Sequence, residues 1–553
     1  MVSGPINVVK LNIAKAYCRT IGSGHPGWET VTEGKAETKI DSFSSKVSIN
    51  LVVTIIRTVV MAVVGFMMVP FYIGQFGMSV YAIIPLVTTI ALYFTVVSDA
   101  LANVFTRYMA IEVQKGDMQA VNVTFSSSML GLGRVLMLLI PLCALMSYVA
   151  PYVFNIGEAD ALEVQVLFFT VLLSIILISC SASLESVFMA YNKLYIMYAI
   201  RTLQTLVQAG LAIVFLLGYG PSLILLGFSY LISSIVFLVL LIYYVRKVCP
   251  ELKLSRKFYD KALLSRMMTL GGWTTFSEIF ILMYIQSSLI LVNLYLGSET
   301  QGVFSIVVNI LSMIGTTCSA LFMASVPLIY RYYAAGDREN LIHTLVIFTK
   351  FVGLMMAFPI AYLMVFSSQV IQVWLGQQYE GLIDMMYVVL PLEIAVCSAR
   401  TLMEVPMAYL RMRVAAIYTA IFGVFNIVGA IIVLQFTDYG AMGVCVVWVI
   451  AMAMLKLAFY PTFAAKLTGT GLWTYYKPEA ICYAAFGVLL ALGFVFDHFV
   501  TMPASWIPLI LVAFFGLVVY MGAALSFGFD KEEKKILFTF LPGIVQRMII
   551  NRG

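Results

Sequence analysis

Ten ionisable residues sit inside stretches otherwise too apolar to hold them: Arg57, Arg134, Lys350, Arg400 and Lys456, and Asp99, Glu185, Glu278, Glu393 and Glu404. Each charge would cost about 2.5–3.5 kcal/mol at the centre of a membrane helix, so each must face a cavity, a partner or the interface. Arg57 falls ten residues into its apolar run, about 15 Å at the helical rise and close to the bilayer midplane. Arg134 and Lys350 lie at comparable depths. Arg400 and Lys456 lie further toward one side. Two chemistries are open to these cations. They could line an electropositive cavity for a diphosphate or an acidic sugar, since an anion leaving water needs concentrated positive charge and hydrogen-bond donors. They could instead pair with the five acids as structural ion pairs. Glu278 stands in the second half of the chain where Arg57 stands in the first, so a pair between the halves is geometrically natural. Arg57, Arg134, Lys350, Arg400 and Lys456 are the candidate substrate-binding residues, and Glu278, Asp99, Glu393 and Glu404 the candidates for coupling or gating. Asp99 and Glu185 lie near span ends, where snorkelling to water also accounts for them. No metal site is expected: His25, His343 and His498 avoid the apolar midpoints, and none of the eight cysteines forms a CxxC pair.

The elements that position these residues follow from composition. The chain is 62% hydrophobic and 11% charged, with mean hydropathy +0.99, whereas a soluble domain carries about 25% charged residues. The bilayer must therefore solvate most of it, and a helix needs about 20 apolar residues to cross. Fourteen runs qualify: 47–73, 79–104, 123–148, 164–190, 198–217, 222–245, 270–296, 302–329, 341–365, 383–409, 415–434, 439–464, 480–496 and 506–527. They are too long and continuous for barrel strands. Alternate connections hold the basic residues, among them Arg107, Lys115, Lys193, Arg331, Arg338, Arg411, Arg413, Lys466 and Lys477. The remaining connections carry no Lys or Arg, only acids such as Glu158, Asp160, Glu299, Glu380 and Asp438. By the positive-inside rule both termini are cytoplasmic.

The halves echo each other. Gly74 with Tyr81 matches Gly297 with Phe304, Arg107-Tyr108 matches Arg331-Tyr332, Gly116-Asp117 matches Gly336-Asp337, and Asn155-Ile156-Gly157 matches Trp374-Leu375-Gly376, all at a nearly constant offset. The offset between Arg57 and Glu278 is the same within this scatter. A six-span unit inserts twice in the same direction, giving a parallel repeat with a cavity expected between lobes. The organisation is a polar cytoplasmic tail (1–46), an N-lobe (47–245), a cytoplasmic amphipathic connector (246–267), a C-lobe (268–465), two appended spans (466–528) and a cytoplasmic tail (529–553). The connector alternates Leu252, Leu254, Phe258, Leu263 and Leu264 with Lys and Arg, which predicts a helix on the inner membrane surface. Residues Pro5 to Arg19 fit either a basic amphipathic segment or a disordered tail.

Three segments now resemble a known family: Pro70-Phe-Tyr-Ile-Gly-Gln-Phe-Gly77 with Tyr81; Arg107-Tyr108-Met109-Ala110 with Gly116-Asp117; and Val373-Trp374-Leu375-Gly376 with Tyr379. With the 6+6+2 layout, the chain resembles the polysaccharide-transport, Wzx-type oligosaccharide flippase branch of the multidrug/oligosaccharidyl-lipid/polysaccharide (MOP) exporter superfamily. The resemblance implies an all-α integral membrane protein of fourteen transmembrane helices with a MOP/MATE-like fold. It implies a transporter rather than an enzyme, moving a lipid-linked saccharide on a polyprenyl-phosphate-type carrier across a prokaryotic cytoplasmic membrane by alternating access. It also implies a central cavity lined by the first, second, seventh and eighth spans. A cation-coupled multidrug exporter of the same fold is the alternative, although five embedded cations suit a cationic drug poorly. A membrane glycosyltransferase or polysaccharide polymerase would need catalytic acids or histidines on larger outer loops. A scaffold would need no mid-depth cations. No P-loop is present, so energy would come from H⁺, Na⁺ or the membrane potential, and no other cofactor is expected. The expected partners are the lipid-linked saccharide, the bilayer and glycan-assembly enzymes, with no nucleic acid, and the expected state is a monomer.

Overall fold

The computed structural model describes the backbone of residues 33–530 and 533–534 apart from 324 and 501, and side chains from residue 53 onward with short gaps, notably over 270–278. The segment from Pro5 to Arg19 lies outside these residues. Among the described residues every regular element is a helix. The N-lobe comprises α1 (Glu33–Tyr81), α2 (Ile83–Lys115), α3 (Met118–Val153), α4 (Ala161–Cys180), α5 (Ala182–Ala190), α6 (Leu194–Tyr219) and α7 (Leu223–Val248). The C-lobe comprises α8 (Lys261–Leu296), α9 (Ser298–Phe322), α10 (Val326–Ala334), α11 (Arg338–Val365), α12 (Ser367–Trp374), α13 (Leu382–Ser398), α14 (Val405–Ala408), α15 (Met412–Phe436), α16 (Gly440–Ala453) and α17 (Tyr460–Thr468). Two more helices, α18 (Trp473–Phe499) and α19 (Trp506–Phe527), pack outside it, both against α11.

Among the described residues, eleven helical spans are long and apolar enough to cross a membrane, and the pair α13–α14, bent by 54°, makes a twelfth. The expected second and seventh spans coincide with α2 and α8, whose apolar stretches are the shorter Ile83–Val96 and Gln286–Leu296. The chain is a multi-pass membrane protein. Helices are the solution because hydrocarbon leaves backbone groups no other partner. The many serines in the core obey the same rule: Ser174, Ser229 and Ser234 each donate to the carbonyl three residues back, at 2.6–2.7 Å. Where helices must approach closely, small residues permit it. A Cβ at Gly227 would collide with Thr170 Oγ1, so α7 meets α4 only because that position is bare.

The repeat is written in backbone irregularities. Residues with positive φ recur in pairs at a nearly constant spacing: Gly77 and Gly297, Gly116 and Gly336, Gly157 and Gly376, Asn192 and Leu410, Gly220 and Gly440. The sequence register that paired Gly74 with Gly297 is corrected: Gly77 (φ 74°, ψ 166°) shares the conformation of Gly297 (φ 87°, ψ 175°). The Gly-Asp pairs are helix junctions. Gly116 and Gly336 adopt the left-handed turn, and Asp117 and Asp337 then cap the following helices, accepting from Gln119 and Ala120 and from Asn340 respectively. The bonds from the Asn340 side chain and backbone hold the Asp337 carboxyl below its ordinary range. The fourth span of each lobe also breaks in the same place, at Ser181 and at Ala399–Thr401.

The connector is not the expected surface helix. The helix α7 ends at Val248, α8 already begins at Lys261, and only a single 3₁₀ turn, Arg256–Phe258, lies between. The chain is strapped across α3 by a polar row that apolar periodicity does not single out. Asn122 Oδ1 accepts from the Lys253 N–H (2.7 Å), Ser126 donates to the Lys253 carbonyl (3.0 Å), and Ser127 accepts from the Asp260 N–H (2.8 Å). The i, i+4 spacing of Asn122 and Ser126 puts both on one helix face. Losing such buried bonds costs about 1–3 kcal/mol each. The double variant Asn122→Ala/Ser126→Ala is therefore expected to raise tryptic cleavage at Lys253–Lys257 at least tenfold in the folded protein. Cleavage at the wild-type rate would show that the strap is held by something else.

Candidate functional site

The lobes meet at the ends that loop charge assigns to the outer face. Ser79 and Ser298, within one residue of equivalent positions in the two lobes, share a hydrogen bond of 2.9 Å close to the pseudo-twofold axis. Gly157 lies against both: a Cβ there would overlap the Ser79 hydroxyl and lie 2.6 Å from that of Ser298. The loop positions Asn155 and Trp374, equivalent in the repeat, each grip the first helix of the opposite lobe. Asn155 exchanges two bonds with the Asn293 side chain, at 3.0 and 2.9 Å. Trp374 stacks on Phe66, with centroids 4.4 Å apart, and its indole N–H donates to the Phe66 carbonyl at 2.8 Å. That carbonyl is free because Pro70, four residues on, has no N–H to give it. Deeper, Thr89 meets Gln286 and Tyr93 reaches the Leu282 carbonyl. The described side-chain bonds between spans of opposite lobes all lie in this outer half.

Beneath the seal is a cavity of about 280 Å³ within the N-lobe, reached from the C-lobe by Asn309. Its polar lining comprises Tyr72, Tyr81, Thr88, Gln208 and Tyr230 from the N-lobe and Asn309 from the C-lobe, among others. None of the five predicted cations lines it. Arg57 is half-buried on the inward side of the same helix, its guanidinium 5.4 Å from the Tyr198 ring centroid and its Nε buried with no hydrogen-bond partner. Around it, Arg201 and Glu185 form an ion pair at 2.6 Å, and the exposed Asp99 lies within electrostatic reach of both. Arg201 is inside α6. The side chain of Glu278, expected as a partner for Arg57, lies outside the described residues.

The C-lobe holds a second cluster. Arg400 Nη1 and Lys456 Nζ converge on the Met403 sulfur, at 3.7 and 3.0 Å, with Arg400 also over the Phe322 ring. Lys456 is 7% exposed and sits in a π-helical turn, Met454–Phe459, a distortion often found at functional sites. Glu393, 3% exposed, interacts with Lys456 electrostatically but forms no ion pair within 4 Å among the described residues. Glu404 accepts from Tyr330 at 3.0 Å.

The remaining two cations are clamps. Arg134 is exposed; it donates to the Tyr259 hydroxyl at 2.8 Å and covers its ring, fastening the connector. Lys350, in the equivalent span, binds both carboxylate oxygens of Glu533 at 2.7 and 2.5 Å, with both side chains 9% exposed. Each cation thus ties down the segment that leaves one half of the molecule. Glu479, placed in a loop by its sequence position, was missed as a buried acid. It lies within α18, is 2% exposed, and neither carboxyl oxygen has a hydrogen-bond partner among the described residues. Its nearness to a loop boundary hid it.

Two outcomes follow from these contacts. Trp374→Phe leaves the Phe66 carbonyl unsatisfied, at about 1–3 kcal/mol, so spin-label distances across the outer ends should show the open population rising at least fivefold. Pro70→Ala restores the intrahelical bond and should make the tryptophan donor redundant; additive effects in the double variant would refute that account. Lys350→Met or Glu533→Gln alone strands a buried charge or loses its partner, at about 3–5 kcal/mol. Each should lower Tm more than the pair replaced together does; equal losses in singles and double would dismiss the clamp.

Comparison with known proteins agrees with this geometry. A family model described as "Polysaccharide biosynthesis protein" matches residues 43–333. The "Uncharacterized membrane protein EpsK" of Bacillus subtilis (strain 168) is 22% identical over 479 residues, 85% of this chain and 93% of that protein. Among solved structures, an inward-facing MATE family multidrug resistance transporter of the MOP superfamily is similar at TM-score 0.61 and 15% identity, over 76% of this chain and 99% of its own. The lipid II flippase MurJ in an inward closed conformation is similar at TM-score 0.59 and 16% identity, over 88% of this chain and 98% of its own. Those likenesses give the fold, and the sequence match gives the family: the chain is a MOP-fold membrane protein belonging to the polysaccharide biosynthesis protein family.

Proposed function

We propose that the protein is a flippase. It moves a saccharide linked to a polyprenyl-phosphate-type lipid across a prokaryotic cytoplasmic membrane, for assembly of a surface glycan, by alternating exposure of the space between its lobes. Both termini are cytoplasmic in this reading, and the sealed face is the outer one. One observation carries it: Arg57, Arg400 and Lys456 lie in membrane-spanning segments, Arg400 at a helix break, with no carboxylate within 4 Å among the described residues. Cations at that depth are costly to hold unpaired, and a diphosphate supplies what they lack through short, charge-assisted hydrogen bonds. A cationic drug would find like charge there. An apolar groove of about 880 Å³ along α11, α18 and α19, walled by Phe358, Val488, Leu492, Phe515 and Val519, has the chemistry a polyprenyl chain needs.

Among the described coupling candidates, Asp99 is the exposed one, within electrostatic reach of the Arg201–Glu185 pair. It is the proposed site for a coupling H⁺ or Na⁺. The membrane potential is the other driving force for an anionic cargo, at about 2.3 kcal/mol per charge per 100 mV. Glu404 is already engaged by Tyr330, and Glu393 stands beside Lys456, so both are assigned to holding the C-lobe cluster in place.

Reconstitution into vesicles tests the reading. Wild-type protein should translocate a fluorescent polyprenyl-diphosphate saccharide. Arg57→Ala and Arg400→Ala should each slow translocation at least tenfold while inserting normally. Undiminished transport in both variants, or transport of a cationic dye in place of the lipid, would overturn it.

A further inference from the structure

The cavity beneath the outer seal has a lining that the cations do not explain. No Asp, Glu, Lys, Arg or His is among its described lining residues. Its polar groups are three phenols, two carboxamides and threonine hydroxyls, most prominently Tyr72, Tyr81, Tyr230, Gln208, Asn309 and Thr88. These groups share one property: each both donates and accepts hydrogen bonds while carrying no charge. All come from the N-lobe except Asn309. The Tyr81 hydroxyl from the N-lobe interacts with Asn309 of the C-lobe, and Tyr230 with Gln208.

Position along α1 fixes the order of parts. The cavity is lined by this helix from Tyr72 down to Met61. Arg57 is one turn further in, about 6 Å at the helical rise. A diphosphate held at Arg57 therefore presents whatever is attached to it outward, into the uncharged cavity.

We propose that this cavity is the sugar subsite, and that it selects a neutral, hydroxyl-rich sugar ring over an acidic one. The inference rests on the flippase reading and deepens it. Sugar hydroxyls are themselves donors and acceptors, so the lining replaces the water they lose, and the flat phenol faces cover ring C–H groups. A uronic acid carboxylate would be desolvated there with no cation beside it, a burial that is strongly unfavourable. The lining specifies charge and hydroxyl content; it therefore divides recognition between a cationic seat for the diphosphate and an uncharged one for the sugar.

Binding to the purified full-length protein in nanodiscs separates the possibilities. Three probes are compared: a short-chain prenyl diphosphate, the same carrier bearing N-acetylglucosamine, and the same carrier bearing glucuronic acid. The neutral conjugate should bind at least tenfold more tightly than the bare carrier, and the acidic one no more tightly than the bare carrier. In Gln208→Ala and Asn309→Ala the ratio between neutral conjugate and bare carrier should fall toward one. A bare carrier that binds with no gain from the neutral sugar, or a gain as large from the acidic sugar, overturns the subsite alone. A bare carrier that fails to bind at all overturns the flippase reading and the subsite with it.

Discussion

Hydrocarbon offers no hydrogen bonds, so each carbonyl, hydroxyl and charge carried into the bilayer must find its partner on the protein. Much of this molecule is arranged by that requirement. Core serines spend their hydroxyls on their own helices. The connector is held by Asn122, Ser126 and Ser127 instead of floating on the membrane surface. The sharpest case is Pro70, which frees a carbonyl on α1 that the opposite lobe then uses through Trp374. A defect in one helix becomes the recognition point for another, and the contact between the lobes at this end depends on it.

The two lobes share a backbone but not a chemistry. Positive-φ residues recur at a nearly fixed spacing, and the fourth span of each lobe breaks at the same place. On that common frame the side chains diverge. Glu185 in the N-lobe pairs with Arg201, whereas Glu404, at the equivalent position of the C-lobe, takes a tyrosine hydroxyl. Ser181 at the N-lobe break is matched by Arg400 at the C-lobe break. Backbone irregularities are set by steric rules that duplication copies intact. Side-chain partners depend on single substitutions, so a duplicated frame can come to hold a mixed-charge cluster on one side and an unpaired cationic one on the other.

The outer seal and the cavity below it are continuous. Ser79, close to the axis, lies two residues from Tyr81, which lines the cavity. Opening the seal therefore changes the cavity wall directly, with no relay needed between the two. The clamps at Arg134 and Lys350 lie elsewhere, fastening the connector and the segment after α19, each to its own lobe.

Composition, span length and loop charge depend on the solvent alone, and so the sequence by itself determined a helical, multi-pass, duplicated membrane protein. Two family motifs, around Pro70 and around Trp374, were also legible, but as separate strings; that they are donor and acceptor of one bond needed the fold, because 308 residues separate Phe66 from Trp374. The same holds for the charges. Arg57, Arg134, Lys350, Arg400 and Lys456 look alike in sequence, each a cation at membrane depth. Only the tertiary structure gave Lys350 its carboxylate and Arg134 its tyrosine, while among the described residues no carboxylate lies within 4 Å of Arg57, Arg400 or Lys456. The cost of burying a charge is local and can be read from one helix, but its compensation comes from whichever helix packs opposite, which no single stretch of sequence contains.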